Sequence, residues 1–202
     1  QFEQGNLASH QHLLAKLPDK VDVLINNAGL GTKTVEEMSN VHEEQDEIMM
    51  RVNALGPLWL TQSLLPRMKE NGYGKIIFMS SVGGGITQFP GFRFSDEMSK
   101  AAIAQFGKQL AMELSYDRID TFVICPGATD TPMFQASTLD SMDPDQKNDF
   151  YKKLPGQRMI APTEIAELCY FVCEESSRIL RGSVLDASLG LGVHPGSITS
   201  TK

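Results

Sequence analysis

Short apolar runs that stop at small-residue or proline turns, each followed by a longer amphipathic stretch, most constrain what this chain can fold into. Residues 21–25, 74–79, 119–125 and 183–187 read as strands. Stretches at about 41–69, about 96–114 and from Pro162 onward read as helices. Repeated strand–helix units of this kind build a mostly parallel sheet. Pro57 and Pro66 fall inside the first helical stretch and are expected to bend or shorten it. Residues 131–156 are expected to form an irregular excursion with short helices. Thr163 is a candidate cap for the last helix, and the polar tail from His194 is expected to fray. The chain shows no internal repeat and no linker, which predicts one domain over residues 1–202.

Composition narrows the function classes. At 202 residues and 41% hydrophobic content the chain can fill one core. A net charge of -7 argues against a nucleic-acid or anionic-membrane surface, since both require clustered Lys and Arg. The acidic run from Glu43 to Glu47 reads as a solvated first helical turn. Cys125, Cys169 and Cys173 make no disulfide framework. Cys169 and Cys173 have no partner pair to complete a zinc site, so they read as reduced core thiols and no metal is expected. His10, His12, His42 and His194 are scattered and read as surface residues. No stretch is apolar and long enough to span a membrane, and no signal peptide opens the chain, which points to the cytoplasm.

The chemistry-bearing residues recur at successive strand ends. The first strand runs into Asn26-Asn27-Ala28-Gly29, a small-residue turn that lets a flat ligand approach the backbone. Asn53 follows in the long helix, Ser80-Ser81 ends the second strand, and Lys100 lies in the next helix. Pro126-Gly127-Ala128-Thr129-Asp130-Thr131 follows the third strand. In this order and spacing the chain resembles the short-chain dehydrogenase/reductase family, over residues 6–190.

The resemblance implies a Rossmann-like, doubly wound parallel α/β sheet and an NAD(P)-dependent oxidoreductase. Such an enzyme moves hydride between NAD or NADP and a small carbonyl or alcohol. Asn26, Ala28 and Gly29 would line the adenosine side of the cofactor, and Asn6 would touch the adenine. Asn53 would fix Lys100 through a water and relay protons. Ser81 would hydrogen-bond the substrate oxygen, and Lys100 would hold the nicotinamide ribose. Pro126, Gly127 and Thr131 would hold the nicotinamide ring and its carboxamide. The methionines and phenylalanines between Met133 and Phe150 would cap the substrate or pack among themselves. Homodimers or homotetramers would form on the helices at 42–69 and 97–115.

Two departures from the family pattern stand out. Its catalytic tyrosine falls at Asp96, in a loop two residues longer than usual; the usual spacing lands on Phe94. Standing i, i+4 from Lys100, Asp96 is expected to pair with it and stay ionised, or to act as a helix cap. Glu97, Ser95, Ser99 or a water are the other candidate proton donors. The second departure is at the front, where the first β-α-β unit is lacking and no Gly-x-x-x-Gly-x-Gly occurs anywhere. Residues 1–7 match the family's third strand, whose neighbours in the order 3-2-1-4-5-6-7 are not in the sequence. The first residue is Gln1, so a piece of a protein roughly 50 residues longer is expected. The rival reading is an inactive pseudoenzyme that serves as a nucleotide-binding or oligomeric scaffold.

Overall fold

The computed structural model describes residues 2–194. Among them, strands β1 (Val23–Asn26), β2 (Gly74–Met79), β3 (Ile119–Pro126) and β4 (Val184–Ala187) form one sheet, parallel throughout, in the order β1-β2-β3-β4. The helices are α1 (Leu7–Leu14), α2 (Thr32–Met38), α3 (His42–Met50), α4 (Gly56–Glu70), α5 (Val82–Gly85), α6 (Phe94–Glu113), α7 (Pro132–Phe134), α8 (Pro144–Lys153) and α9 (Pro162–Cys173). A π-helical turn, Arg51–Leu55, joins α3 to α4.

The strand side chains alternate between two covered faces. Ile76, Phe78, Val123 and Cys125 pack with Leu60, Leu64 and Met68 of α4 and with Ile103, Ala104 and Leu110 of α6. Ile77, Phe122 and Ile124 pack with Cys169 and Val172 of α9 on the other face. Burial on both faces is why β2 and β3 read as continuous apolar runs. The fold is Rossmann-like α/β.

Helix α6 lies against the sheet because Gly107 has no side chain. A Cβ there would stand 2.3 Å from Val123 Cγ2 and 3.3 Å from Phe78 Cδ2. The Gly107 carbonyl also accepts a hydrogen bond from Thr121 Oγ1 at 3.1 Å. At the opposite end of the strands from their turn-forming tips, register places Lys75 beside Asp120. Lys75 is fully buried, and its Nζ donates to Asp120 Oδ2 at 3.0 Å, the Glu174 carbonyl at 3.1 Å and Ser177 Oγ at 3.4 Å. Arg181 Nε donates to the other Asp120 oxygen at 2.6 Å.

Residues 2–6 depart from expectation: they form no strand. They lie as an irregular segment over the start of α4, and Asn6 caps α1 by accepting from the Ala8 N–H at 3.0 Å. Gly56 permits the approach, since a Cβ there would meet the Gln4 carbonyl oxygen at 2.7 Å. His10 is buried under this segment, between the rings of Phe2 and Trp59. With no strand beside it, β1 is an edge with Val23 and Ile25 exposed. The frayed tail expected from His194 lies, beyond that residue, outside the described residues, as does Gln1.

Two stability measurements check this packing. Gly107→Ala is expected to lower stability by about 1–3 kcal/mol through overpacking, read as a lower urea midpoint at unchanged slope. Asp120→Ala leaves the Lys75 ammonium buried without its carboxylate and is expected to lower stability by about 3–5 kcal/mol. An unmoved midpoint in either variant contradicts the tight packing described here.

Candidate active site

The polar residues of the strand ends meet where α6 crosses the tips of β1, β2 and β3. Asn53 comes from the π-helical turn. Pro57 lacks the N–H that an α-helix would direct at the Asn53 carbonyl, and the wider turn closes instead through Gly56 N–H to Arg51 O. The buried Asn53 amide grips the turn after β1. Its Oδ1 accepts from the Leu30 N–H at 2.8 Å and its Nδ2 donates to the Leu30 carbonyl at 2.9 Å. A Cβ on Gly29 would lie 3.2 Å from Asn53 Oδ1 and 3.7 Å from Lys100 Nζ, so these three residues converge on one point.

Lys100 is anchored from both ends. Its Nζ donates to the Met79 carbonyl at 3.4 Å, and its own carbonyl accepts from Ser80 Oγ at 2.8 Å. Ser81 caps α5 by accepting from the Gly83 N–H at 3.2 Å, which leaves its hydroxyl hydrogen available as a donor. After β3, Gly127 passes so close to Ser188 that a Cβ would stand 2.9 Å from its Cα. Thr131 caps α7, accepting from the Phe134 N–H at 3.2 Å. Of the turn after β1, strand alternation turns Asn26 inward with Leu24, while Asn27 and Ala28 are exposed. Asn26 gives its Nδ2 to Thr61 Oγ1 at 3.2 Å and faces the core rather than the crevice; its Oδ1 is buried without a partner. The excursion at residues 131–159 leaves and returns through a bridge between Thr129 and Ile160. Within it Phe134 stacks near Phe150, and Met133 reaches back to the Cα of Gly31.

Asp96 differs most from its expected behaviour. It lies in the first turn of α6, three residues past the capping position held by Arg93, and makes no capping bond. No ion pair joins it to Lys100 among the described residues; Lys100 turns its Nζ to the Met79 carbonyl instead. Burial pushes the Asp96 carboxyl above the usual carboxylate range; Lys100 opposes this, Glu97 adds to it and Arg93 opposes it. Burial likewise pulls the Lys100 ammonium down, against the attraction of Asp96 and Cys125. Desolvation outweighs pairing at both groups, the reverse of the sequence expectation. The other candidate side chains each have a partner of their own. Ser95 Oγ donates to Asp46 at 2.6 Å, Ser99 Oγ to the Asp96 carbonyl at 2.7 Å, and Glu97 Oε1 accepts from the Phe89 N–H at 3.1 Å.

Gln4 and Arg93 escape the sequence reading, as does the fastening role of Ser80. Gln4 donates its amide to the carbonyls of Ala28 and Val52, at 2.9 and 2.8 Å, and so ties the β1 turn to the π-helical turn. Ser80 fastens β2 to α6, and Arg93 fastens α6 to α3. Only Arg93 carries a sequence signal, a cation set where a helix dipole disfavours it.

The family described as enoyl-(acyl carrier protein) reductase matches residues 6–192. Oxidoreductase UcpA of Salmonella typhimurium is 31% identical over 202 residues, covering 93% of this chain and 76% of the relative. Acetoacetyl-CoA reductase of Acinetobacter sp. is 35% identical over 200 residues, covering 96% and 77%. The crystal structure of 3-ketoacyl-(acyl-carrier-protein) reductase from Brucella melitensis, complexed with NADH, superposes with a TM-score of 0.79 at 27% identity, over 95% of this chain and 76% of that one. With a family match along nearly its whole length and reductase relatives above 30% identity, the chain belongs to the short-chain dehydrogenase/reductase family of NAD(P)-dependent oxidoreductases.

Proposed function

We propose that the chain reduces a small-molecule ketone, or oxidises the matching alcohol, with Asp96 as the proton-transferring group. The observation that carries this reading is the convergence of Gly29, Asn53 and Lys100 on one point, beside the strand that ends in Ser81. Nothing in the fold or among the relatives supports the inactive scaffold.

The residues present fit the nicotinamide half of NAD or NADP. The space over Gly29, which a Cβ would fill, gives Lys100 and Asn53 access to a ribose; Gly127, Pro126 and Thr131 would hold the ring and carboxamide. Ala28 and the Nδ2 of Asn6 would serve the adenosine side. No residue here is assigned to the pyrophosphate, since the sequence has no glycine-rich phosphate loop. The bound cofactor supplies or accepts the hydride. Ser81 donates its hydroxyl hydrogen to the substrate oxygen and stabilises the charge that develops there. Asp96, its carboxyl raised above the usual carboxylate range by burial, would in its protonated form break its O–H bond as the new O–H of the alcohol forms. The carboxylate left behind is attracted by Lys100.

Along one face of α6, Phe94, Met98 and Met112 are exposed, and Tyr116 just beyond it is too. This apolar stripe supports homodimers or homotetramers built on α6 together with α3 and α4, and light scattering in solution tests the assembly.

Ser81→Ala is expected to lower kcat with acetoacetyl-CoA about 10²–10³-fold while leaving nucleotide affinity near its original value. Equal turnover in that variant removes the serine from the mechanism. Asp96→Asn is expected to abolish the proton step and so the pH dependence it creates: reduction falls, and oxidation rises, as pH climbs through the Asp96 pKa. The same substitution has a stability signature of known sign. A carboxyl with a raised native pKa contributes most to stability below its unfolded pKa of about 3.9, and the contribution is lost as pH rises through the native value. Asp96→Asn is therefore expected to be more stable than the parent near about pH 7 and to show no gain near about pH 3. A loss of stability at neutral pH would contradict a half-buried carboxyl without an ion-pair partner.

A further inference from the structure

Arg93 stands immediately before α6 and points back at α3, with its side chain only 8% exposed. Its Nε donates to Asp46 Oδ1 at 2.8 Å and to Ser95 Oγ at 3.1 Å. Its Nη1 donates to Gln45 Oε1 at 2.9 Å. Its Nη2 reaches His42 Nδ1 at 2.8 Å, the His42 carbonyl at 3.2 Å and Asp46 Oδ1 at 2.7 Å. Ser95 donates to the same Asp46 oxygen at 2.6 Å. The Ser95 hydroxyl and the Arg93 guanidinium hold the Asp46 carboxyl below the usual carboxylate range.

A buried guanidinium at a helix N-terminus is opposed by desolvation and by the dipole. The planar fork is what satisfies all these acceptors at once, and a lysine has no such geometry. Asp96 rides on the turn that this fork holds down, and Lys100 follows one turn later. The charged groups acting on Asp96 are Lys100, Glu97 and Arg93. Those facing Arg93 across the helix contact are Asp46 and His42.

We propose that Arg93 is a positioning residue, whose fork, gripped by Asp46, Gln45 and His42, sets the first turn of α6 and directs the guanidinium charge into α3 rather than onto Asp96. This rests on the reading that Asp96 carries the proton. Asp46 acts through Arg93: its carboxylate balances the charge that Asp96 would otherwise meet.

The test follows the Asp96 carboxyl by carbon-13 NMR titration, together with amide exchange over residues 94–97, in the full chain. Arg93→Gln removes the cation, and the Asp96 midpoint is expected to move up. Asp46→Asn keeps an acceptor but frees the Arg93 charge, and the midpoint is expected to move down. Arg93→Lys keeps the charge and loses the fork. There the midpoint is expected near its original value, with faster exchange at 94–97 and kcat lowered by up to about 100-fold at little-changed KM. A purely structural contact weakens the fold without moving the midpoint in opposite senses. Midpoints that stay fixed, or shift the same way in Arg93→Gln and Asp46→Asn, overturn the proposal. Opposite shifts in a chain that shows no turnover uphold the clasp and remove the reductase reading instead.

Discussion

Where Gly107 would carry a side chain, Val123 already stands, and that contact brings α6 down onto the sheet. The groups of the candidate site inherit their position from it. On the same helix Lys100 lies about two turns earlier and Asp96 about three, and the Ser80 bond to the Lys100 carbonyl fixes the helix at the strand tips as Gly107 fixes it at mid-sheet. The Lys75–Asp120 network then locks β2 to β3 at the far end, so the tips bearing Ser81 and Pro126 are held at constant separation. A parallel sheet places all its strand tips at one edge, which is why one helix can serve all of them.

Tight packing also sets the electrostatics. Drawing α6 onto the sheet removes water from Asp96 and Lys100 alike, and each is driven toward its neutral form. A tyrosine in the same place would reach neutral pH from above, lowered by the neighbouring ammonium. An aspartate has to arrive from below, raised by burial. The two residues would thus be shifted in opposite directions, the tyrosine down by the ammonium and the aspartate up by burial. Lys100 turns to the Met79 carbonyl and Arg93 to Asp46, and their attraction is a smaller effect at Asp96 than its burial.

The strands at 74–79 and 119–125 and the glycine and asparagine turn after β1 were legible because local pattern determines them, whereas Ser81 and Lys100 took their expected roles from the family resemblance. Residues 2–6 were not: as a strand they need a partner, and without one the Gln4 amide finds carbonyls on Ala28 and Val52. The inward face of Asn26 follows from alternation with Leu24, a pattern visible in a strand only once one end of its register is fixed. The absent Asp96–Lys100 pair could not be read from i, i+4 spacing. That spacing describes exposed helices in water, whereas here burial is the larger effect. Ser95, Ser99 and Glu97 looked equivalent in sequence and differ only by what stands opposite them in space.

The π-helical turn connects the two halves of the site. Asn53 can hold both polar groups of Leu30 only because the helix widens at Arg51–Leu55, and it widens where Pro57 withholds its N–H. Straightening that turn would rotate Asn53 away from Gly29 and release the β1 turn from its side. The Gln4 amide, donating to both carbonyls, grips the turn from the opposite side through Ala28 and the helix through Val52. The crevice is therefore framed by one proline and two amides on its β1 side, and by a glycine, a serine and an arginine clasp on its α6 side. The Asp96 carboxyl lies on the α6 side of this frame, where burial raises it against the attraction of Lys100 and Arg93.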